Sequence, residues 1–244
     1  PLTLVDTKGR IVLWYLPGLL SIDQQSSFRS ATTSIKPLLD KSVKSPRGGS
    51  APNWRVHRKN FARKDVVRIC EPGAVTFSAG WFAQGHVVLF LLFGRNWMKK
   101  SRDAEVFLNL TLSLIHPELF ASGLLMLRGL RVLPPTQTIA REWQTVYTGI
   151  QTISNRITPA HRDSKGRPEW FDLLVSYCNG SSTPDFVIKD LSLRLKYSTG
   201  TVVAFCGSIF EHEVKEWGDG DRVCYAHFMR ESVRARLGVS PAGW

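Results

Sequence analysis

The sequence predicts an α+β, mainly β fold: a double-stranded β-helix (jelly roll) buttressed by helices from the N-terminal half. Three observations carry this. From Thr145 onward, short β-rich runs recur at short intervals with Gly-containing turns between them, which describes two packed sheets. Between Asp103 and Leu130 the apolar period is helical instead. A chain of 244 residues is long enough for one sizeable core, so one domain spanning 1–244 is expected. Residues 1–143 would supply an N-terminal hairpin, a basic loop and supporting helices, and 144–238 the jelly-roll core.

Taken in order, Leu2–Val5 and Arg10–Leu16 flank the polar turn Asp6-Thr7-Lys8-Gly9 and predict a β-hairpin, stopped by Pro17-Gly18. Leu19 to Leu39 holds helical stretches. Asp40 to Pro52 is Ser/Lys/Gly/Pro-rich without an apolar period and predicts a flexible surface loop. Trp54 to Lys64 is the densest basic stretch and includes Phe61; it suits a phosphate contact or a solvated loop. Val75 to Trp81 predicts a strand, whereas residues 82–100 match no pattern. Asp103 is placed to N-cap a helix to about Ile115, with Glu105 in its first turn. Val106, Leu110 and Leu114 share one stripe, widened by Leu108, Leu112 and Ile115, so this helix is expected to be largely buried. Pro117 opens a second helix whose buried side is Leu119, Phe120, Leu124, Leu127 and Leu130. Strands then follow: Gln144–Thr152, Glu169–Tyr177, Asp185–Leu191, Ser192–Tyr197, Thr201–Cys206 and Arg222–Arg230. A last helix, Glu231–Leu237, closes at Gly238.

Composition narrows the function classes. A formal charge of +12 and a pI near 9.9 favour a polyanionic partner, nucleic acid before membrane. A hydrophobic fraction of 43% excludes a wholly disordered chain. Cys70, Cys178, Cys206 and Cys224 are far apart with no C-x-x-C pair, which predicts free thiols in a reducing compartment, not a disulfide frame or a zinc site. No membrane span is expected: Val87–Phe93 is too short, and Leu108–Leu127 is interrupted by Asn109, Ser113, His116, Pro117 and Glu118. The chain opens at Pro1 without a Met, as a fragment or trimmed chain would.

The chemistry centres on Thr158-Pro159-Ala160-His161-Arg162-Asp163 and, further on, Phe210-Glu211-His212-Glu213-Val214. Two imidazoles and one carboxylate form the facial triad of non-haem Fe(II), leaving positions open for co-substrate and oxygen. In a strand, residues i and i+2 project to one side, so His161 and Asp163 can point inward together while Arg162 points away, toward a carboxylate such as Asp172 or a phosphate. The same alternation puts Arg222, Cys224, Ala226, Phe228 and Arg230 on one face of the final strand. Val223, Tyr225, His227 and Met229 take the other, which gives His227 a supporting place and not a ligand's.

The stretch from about Gln144 to Leu237 resembles the TET/JBP family of Fe(II)/2-oxoglutarate dioxygenases, and most of all its fungal, transposon-associated members. The likeness rests on Tyr147–Asp163, Glu169–Val175, Gly200–Ala204 and Asp221–Tyr225, with Arg68–Thr76 and Asp103–Phe107 pointing to the fungal branch. It implies Fe(II) on His161, Asp163 and His212, with 2-oxoglutarate and O2 as co-substrates. Arg222 would hold the far carboxylate of 2-oxoglutarate, since its planar fork binds carboxylates bidentately and keeps its charge. Cys224 stands where the family has a hydroxyl on that carboxylate, and is a weaker donor. Phe228 stands where the family stacks an aromatic on the target base, a wall that a flipped base needs; ordinary packing is its alternative role. The implied reaction oxidises a base methyl in duplex DNA, 5-methylcytosine first, by a monomer in the nucleus. Animal members carry an Asn shortly after the Asp that contacts the cytosine edge, where this chain has Ser164-Lys165-Gly166. Glu213 and Asp219 are candidate acceptors for an exocyclic amino group, which cytosine and adenine both offer.

Three alternatives remain at this point. The same apparatus could demethylate N6-methyladenine; the chain could be a transposon-derived DNA-binding relic with an idle site; or the ligand types could serve a zinc hydrolase. The relic and the hydrolase both leave Arg222 unexplained.

Overall fold

The computed structural model describes residues 1–46, 53–62, 68–80, 88–163 and 166–243. Alternating apolar residues put two sheets face to face. The larger sheet is antiparallel throughout, in the order β1 (Leu2–Val5), β2 (Ile11–Leu16), β9 (Val202–Phe205), β6 (Asp172–Cys178), β11 (Arg222–Phe228), β4 (Gly149–Ser154) and β3 (Gly73–Ser78). The smaller sheet runs β5 (Thr158–His161), β10 (His212–Val214), β7 (Asp185–Ile188) and β8 (Leu193–Lys196). This is the two-sheet jelly roll that the short strands predict, with the N-terminal hairpin paired onto β9 through β2.

Alternation sorts each strand of the larger sheet between two cores. Leu173, Val175, Val202, Ala204, Val223 and Tyr225 face the helices. Their neighbours Leu174, Val203, Phe205, Cys224 and Ala226 face the smaller sheet and meet Phe186, Ile188, Leu195 and Val214 there. The expected split of the final strand is therefore observed.

The helical layer comprises α1 (Ile22–Ser34), α2 (Lys36–Ser42), α3 (Arg95–Ile115), α4 (Pro117–Val132) and α5 (Gln137–Glu142), with α6 (Glu231–Leu237) closing at Gly238, φ +64°. Ser21 begins α1 with a capping box to Gln24. The phenol of Tyr225 fastens this layer to β11, meeting Thr32 Oγ1 at 2.9 Å, Trp97 Nε1 at 3.1 Å and the Phe28 carbonyl at 3.1 Å.

Helix α3 departs from expectation. It starts at Arg95, after a π-helical turn at Phe90–Gly94, so Asp103 lies inside it and is no N-cap. Its buried face is Trp97, Met98, Ser101, Ala104, Glu105, Leu108, Thr111 and Leu112. The predicted stripe of Val106, Leu110 and Leu114 is 46%, 58% and 83% exposed. The buried Glu105 explains the rotation: its carboxylate takes the His227 ring Nε2 at 3.0 Å, while Nδ1 meets the Leu173 carbonyl at 3.0 Å. That pair fixes which side of α3 faces the sheet.

Within 40–52, Asp40 to Ser42 continue α2 and Lys44 bridges His57; residues 47–52 lie outside the described residues, as do 81–87. No described helix is long and apolar enough to cross a membrane.

Candidate metal centre and substrate cavity

Strand register brings the candidate ligands together. β5 and β10 pair antiparallel with His161 directly across from His212. Asp163 follows β5 by two residues, its amide donating to the Gly207 carbonyl at 2.8 Å. His161 Nε2 lies 3.6 Å from Asp163 Oδ1, and His212 Nε2 lies 3.8 Å from Asp163 Oδ2. All three donor atoms fall within 4.8 Å of one another.

The donors suit a divalent metal. Each ring nitrogen Nδ1 faces the backbone carbonyl two residues back, Pro159 at 2.9 Å and Phe210 at 3.0 Å. A proton on Nδ1 satisfies that carbonyl and leaves the Nε2 lone pair for a metal. Burial, reinforced by His212, pushes His161 down to about 4. Burial likewise lowers His212, so both rings are neutral, as ligation requires.

A strap from the basic stretch folds onto this centre. Arg55 Nη2 donates to Asp163 Oδ1 at 2.6 Å, and Trp54 sets its ring edge-on to His161, centroids 4.7 Å apart. The sequence suits this stretch to a phosphate contact or a solvated loop, and nothing local in it marks Arg55 as different from its neighbours.

Arg222 is buried at the start of β11, flanked by Tyr197 and Trp217 at 5.8 and 5.9 Å. It donates to the Arg156 carbonyl at 2.7 Å, and Arg156 in turn donates to the Arg55 carbonyl at 3.0 Å. Sequence reasoning passed over Arg156. Both guanidinium groups are buried with Nε unpartnered, and among the described residues neither pairs with a carboxylate. Burial, with Arg222 and Arg55 close by, lowers Arg156 to about 9, still cationic at neutral pH. Two buried cations without an anion form a receptor for one. Cys224 lies beside them, its thiol raised by burial and 3.5 Å from the Tyr197 hydroxyl.

Asp163 also lies on the wall of a cavity of about 830 Å³, shared with Arg55, Gln151, Asp172, Phe228 and Arg230. Arg230 sits over the Phe228 ring at 5.1 Å. Asp172 carries a carboxyl that burial, with Asp163 next to it, raises well above the ordinary range.

The remaining candidates lie elsewhere. Glu213 pairs with Lys215 at 3.4 Å and Lys189 at 3.6 Å, on the opposite face of β10 from His212. Asp219 accepts from the Ser181 amide at 2.8 Å and from its hydroxyl. Neither is among the residues lining the cavity: both were expected to meet substrate, and both are instead committed to protein partners. Arg162 points away from the triad as expected, but pairs with Asp190 at 2.7 Å, not Asp172. Ser164 and Lys165 lie outside the described residues.

With this geometry in place, a family model described as the Tet_JBP oxygenase domain of the 2OGFeDO superfamily matches residues 98–231. The chain belongs to that family. The match spans all three triad residues, Arg156 and Arg222, but leaves out the Trp54–Arg55 strap. Membership implies Fe(II) and 2-oxoglutarate, and the donor set and the paired arginines fit both. The fold is similar to that of NgTET1 in complex with 5mC DNA, with a TM-score of 0.54 and 14% identity, covering 94% of this chain and 76% of that one. Similarity extends to a Pseudomonas putida prolyl-4-hydroxylase (TM-score 0.42, 10% identity, 89% and 91% covered) and a rice dioxygenase for auxin oxidation (0.45, 10%, 89% and 73%). No curated protein matches the chain.

Proposed function

We propose that this TET/JBP-type dioxygenase oxidises the methyl group of 5-methylcytosine in DNA. The observation that carries the reading is the convergence of His161, Asp163 and His212 beside a cavity of about 830 Å³ with an aromatic wall at Phe228. When bound, Fe(II) with 2-oxoglutarate and O2 supplies the oxidising power needed to break a methyl C–H bond. The protein's share is placement. His161 and His212 present neutral Nε2 atoms, and Arg222, with Arg156 beside it, receives the far carboxylate of 2-oxoglutarate. Phe228 offers a flipped base the stacking it loses on leaving the duplex. The net charge of +12 suits the phosphate backbone, and NgTET1 shares the fold while bound to 5mC DNA. The blocks Arg68–Thr76 and Asp103–Phe107 support a place near the fungal members, and a DNA substrate supports a nuclear site of action.

The test is to incubate the protein with Fe(II), 2-oxoglutarate and duplexes carrying either methylated base, then digest and weigh the nucleosides. Oxidised methyl on cytosine is expected. Loss of methyl from N6-methyladenine would replace this reading with demethylation. No turnover by metal-loaded protein would leave a DNA-binding relic.

A further inference from the structure

The strap that carries Trp54 and Arg55 is built into the jelly roll. The Trp54 carbonyl accepts from Asn60 Nδ2 at 2.8 Å, and the Arg55 carbonyl from Arg156 Nη1 at 3.0 Å. Asn60 and Phe61 are buried at its end, where Phe61 bridges Arg156. The Ile157 amide donates to the Asn60 carbonyl at 2.7 Å, and the Ala62 amide to the Asn155 carbonyl at 2.8 Å. Residues 155–157 lead directly into β5, which ends at His161. The strap is therefore tied to the same backbone that carries the first metal ligand, and this fixes Arg55 relative to the triad. Its guanidinium carbon lies 4.5 Å from the centroid of the Trp54 ring, which limits where it can move.

Neither stability nor metal affinity explains an arginine at this place. The Arg55 and Asp163 side chains are 34% and 42% exposed, and pairs this exposed contribute little to folding. A cation beside a metal carboxylate weakens metal binding, because it repels the metal and competes for the same lone pairs. What remains is geometry. Both Asp163 oxygens face an imidazole nitrogen, Oδ1 toward His161 Nε2 at 3.6 Å and Oδ2 toward His212 Nε2 at 3.8 Å. An unrestrained carboxylate placed in this way can bind a metal with both oxygens, which takes up a position that co-substrate or oxygen needs.

We infer that Arg55 is a positioning residue that restricts Asp163 to one oxygen toward the metal. Its Nη2 engages Oδ1 at 2.6 Å and leaves Oδ2 as the donor. The inference depends on the triad holding a metal and not on which base is oxidised, and its deciding readouts need no turnover. Arg55→Met removes the donor and the charge; Arg55→Gln removes the charge with a polar side chain, should methionine disturb the strap. Lys59→Met takes an exposed charge from the same strap and is the control. Each protein would be titrated with Mn(II), the waters exchanging on bound Mn(II) counted by water-proton relaxation, and thermal melting followed. Calorimetry would give 2-oxoglutarate affinity with and without Mn(II).

Both Arg55 variants are expected to bind Mn(II) about two- to fivefold tighter, with fewer exchangeable waters and unchanged melting, while Lys59→Met behaves as wild type. An unchanged water count in both variants overturns the inference. So does weaker Mn(II) binding with earlier melting, since that marks a brace for the fold. A loss of 2-oxoglutarate affinity already present without Mn(II) overturns it as well, because Arg55 would then touch the co-substrate itself. If the variants respond as expected but wild type oxidises neither methylated base, the reading of the substrate fails and the assignment of Arg55 stands.

Discussion

Gly207→Ala adds one methyl group at the point where three site side chains meet. Its Cβ would lie 2.7 Å from Asp172 Oδ2, 2.9 Å from Asp163 Oδ2 and 3.5 Å from His212 Cε1. Gly207 is not among the glycines with positive φ, so alanine meets no backbone penalty and the effect is contact alone. Overpacking of this kind costs roughly 1–3 kcal/mol. Asp172 Oδ2 and the donor atom Asp163 Oδ2 must give way, so part of the cost falls on the geometry of the centre. Mn(II) affinity is therefore expected to weaken roughly 5- to 150-fold, with little loss of thermal stability in the metal-free protein. Titration followed by the signal of free Mn(II), alongside thermal melting, measures both. Gly166→Ala is the matched control, because its nearest neighbour is Ser208 Cβ at 3.5 Å. If Gly207→Ala bound Mn(II) as wild type does, the donors would not be packed against this position. If it melted early with unchanged affinity, the strain would have gone into the fold instead.

Two further predictions follow from charge. His161 is held at about 4, below its ordinary 6.5, chiefly by burial. Between those values the unfolded chain takes up a proton that the folded protein refuses, so metal-free stability is full above 6.5 and falls as pH drops toward 4. The loss is roughly 3 kcal/mol, and His212, lowered by burial as well, adds to it in the same direction. Urea unfolding over that range measures it, and a flat profile would refute it. Arg222→Lys keeps the charge but not the fork. Loss of a charge-assisted hydrogen bond of roughly 1.5–3 kcal/mol corresponds to at least a tenfold weaker affinity for 2-oxoglutarate, read by calorimetry. Unchanged affinity would move the anion site away from Arg222.

Where a sequence period and a spatial contact coincide, the fold was legible beforehand. The i, i+2 spacing of His161 and Asp163, and the alternation along Arg222–Phe228, translate directly into which face each residue occupies. Helix α3 shows where periodicity stops being informative. Val106, Leu110 and Leu114 form one apolar stripe, and Ala104, Leu108 and Leu112 form another, at the same spacing. Either could have been buried. The choice is made by residues that look wrong for a core or lie upstream of the predicted start: Glu105, which finds His227 across the interface, and Trp97, which reaches the Tyr225 hydroxyl. Both partners lie over a hundred positions further along the chain, where no local pattern can point to them.

The basic stretch makes the same argument in terms of charge. Composition treats its cations as alike, and as a group they suit a phosphate backbone. The structure separates them: Arg55 is spent on Asp163, and its carbonyl receives Arg156, whose own carbonyl receives Arg222. Three guanidinium groups are thus linked through backbone oxygens from Asp163 to Arg222. Cations this close repel one another and are stable only with anions between them. Asp163 supplies one of those anions. The unpartnered Nε atoms of Arg156 and Arg222 require another, and a dicarboxylate with one end at the triad and the other at Arg222 would supply it. The cluster is therefore better understood as half of a binding site than as part of the surface field that draws the chain to DNA.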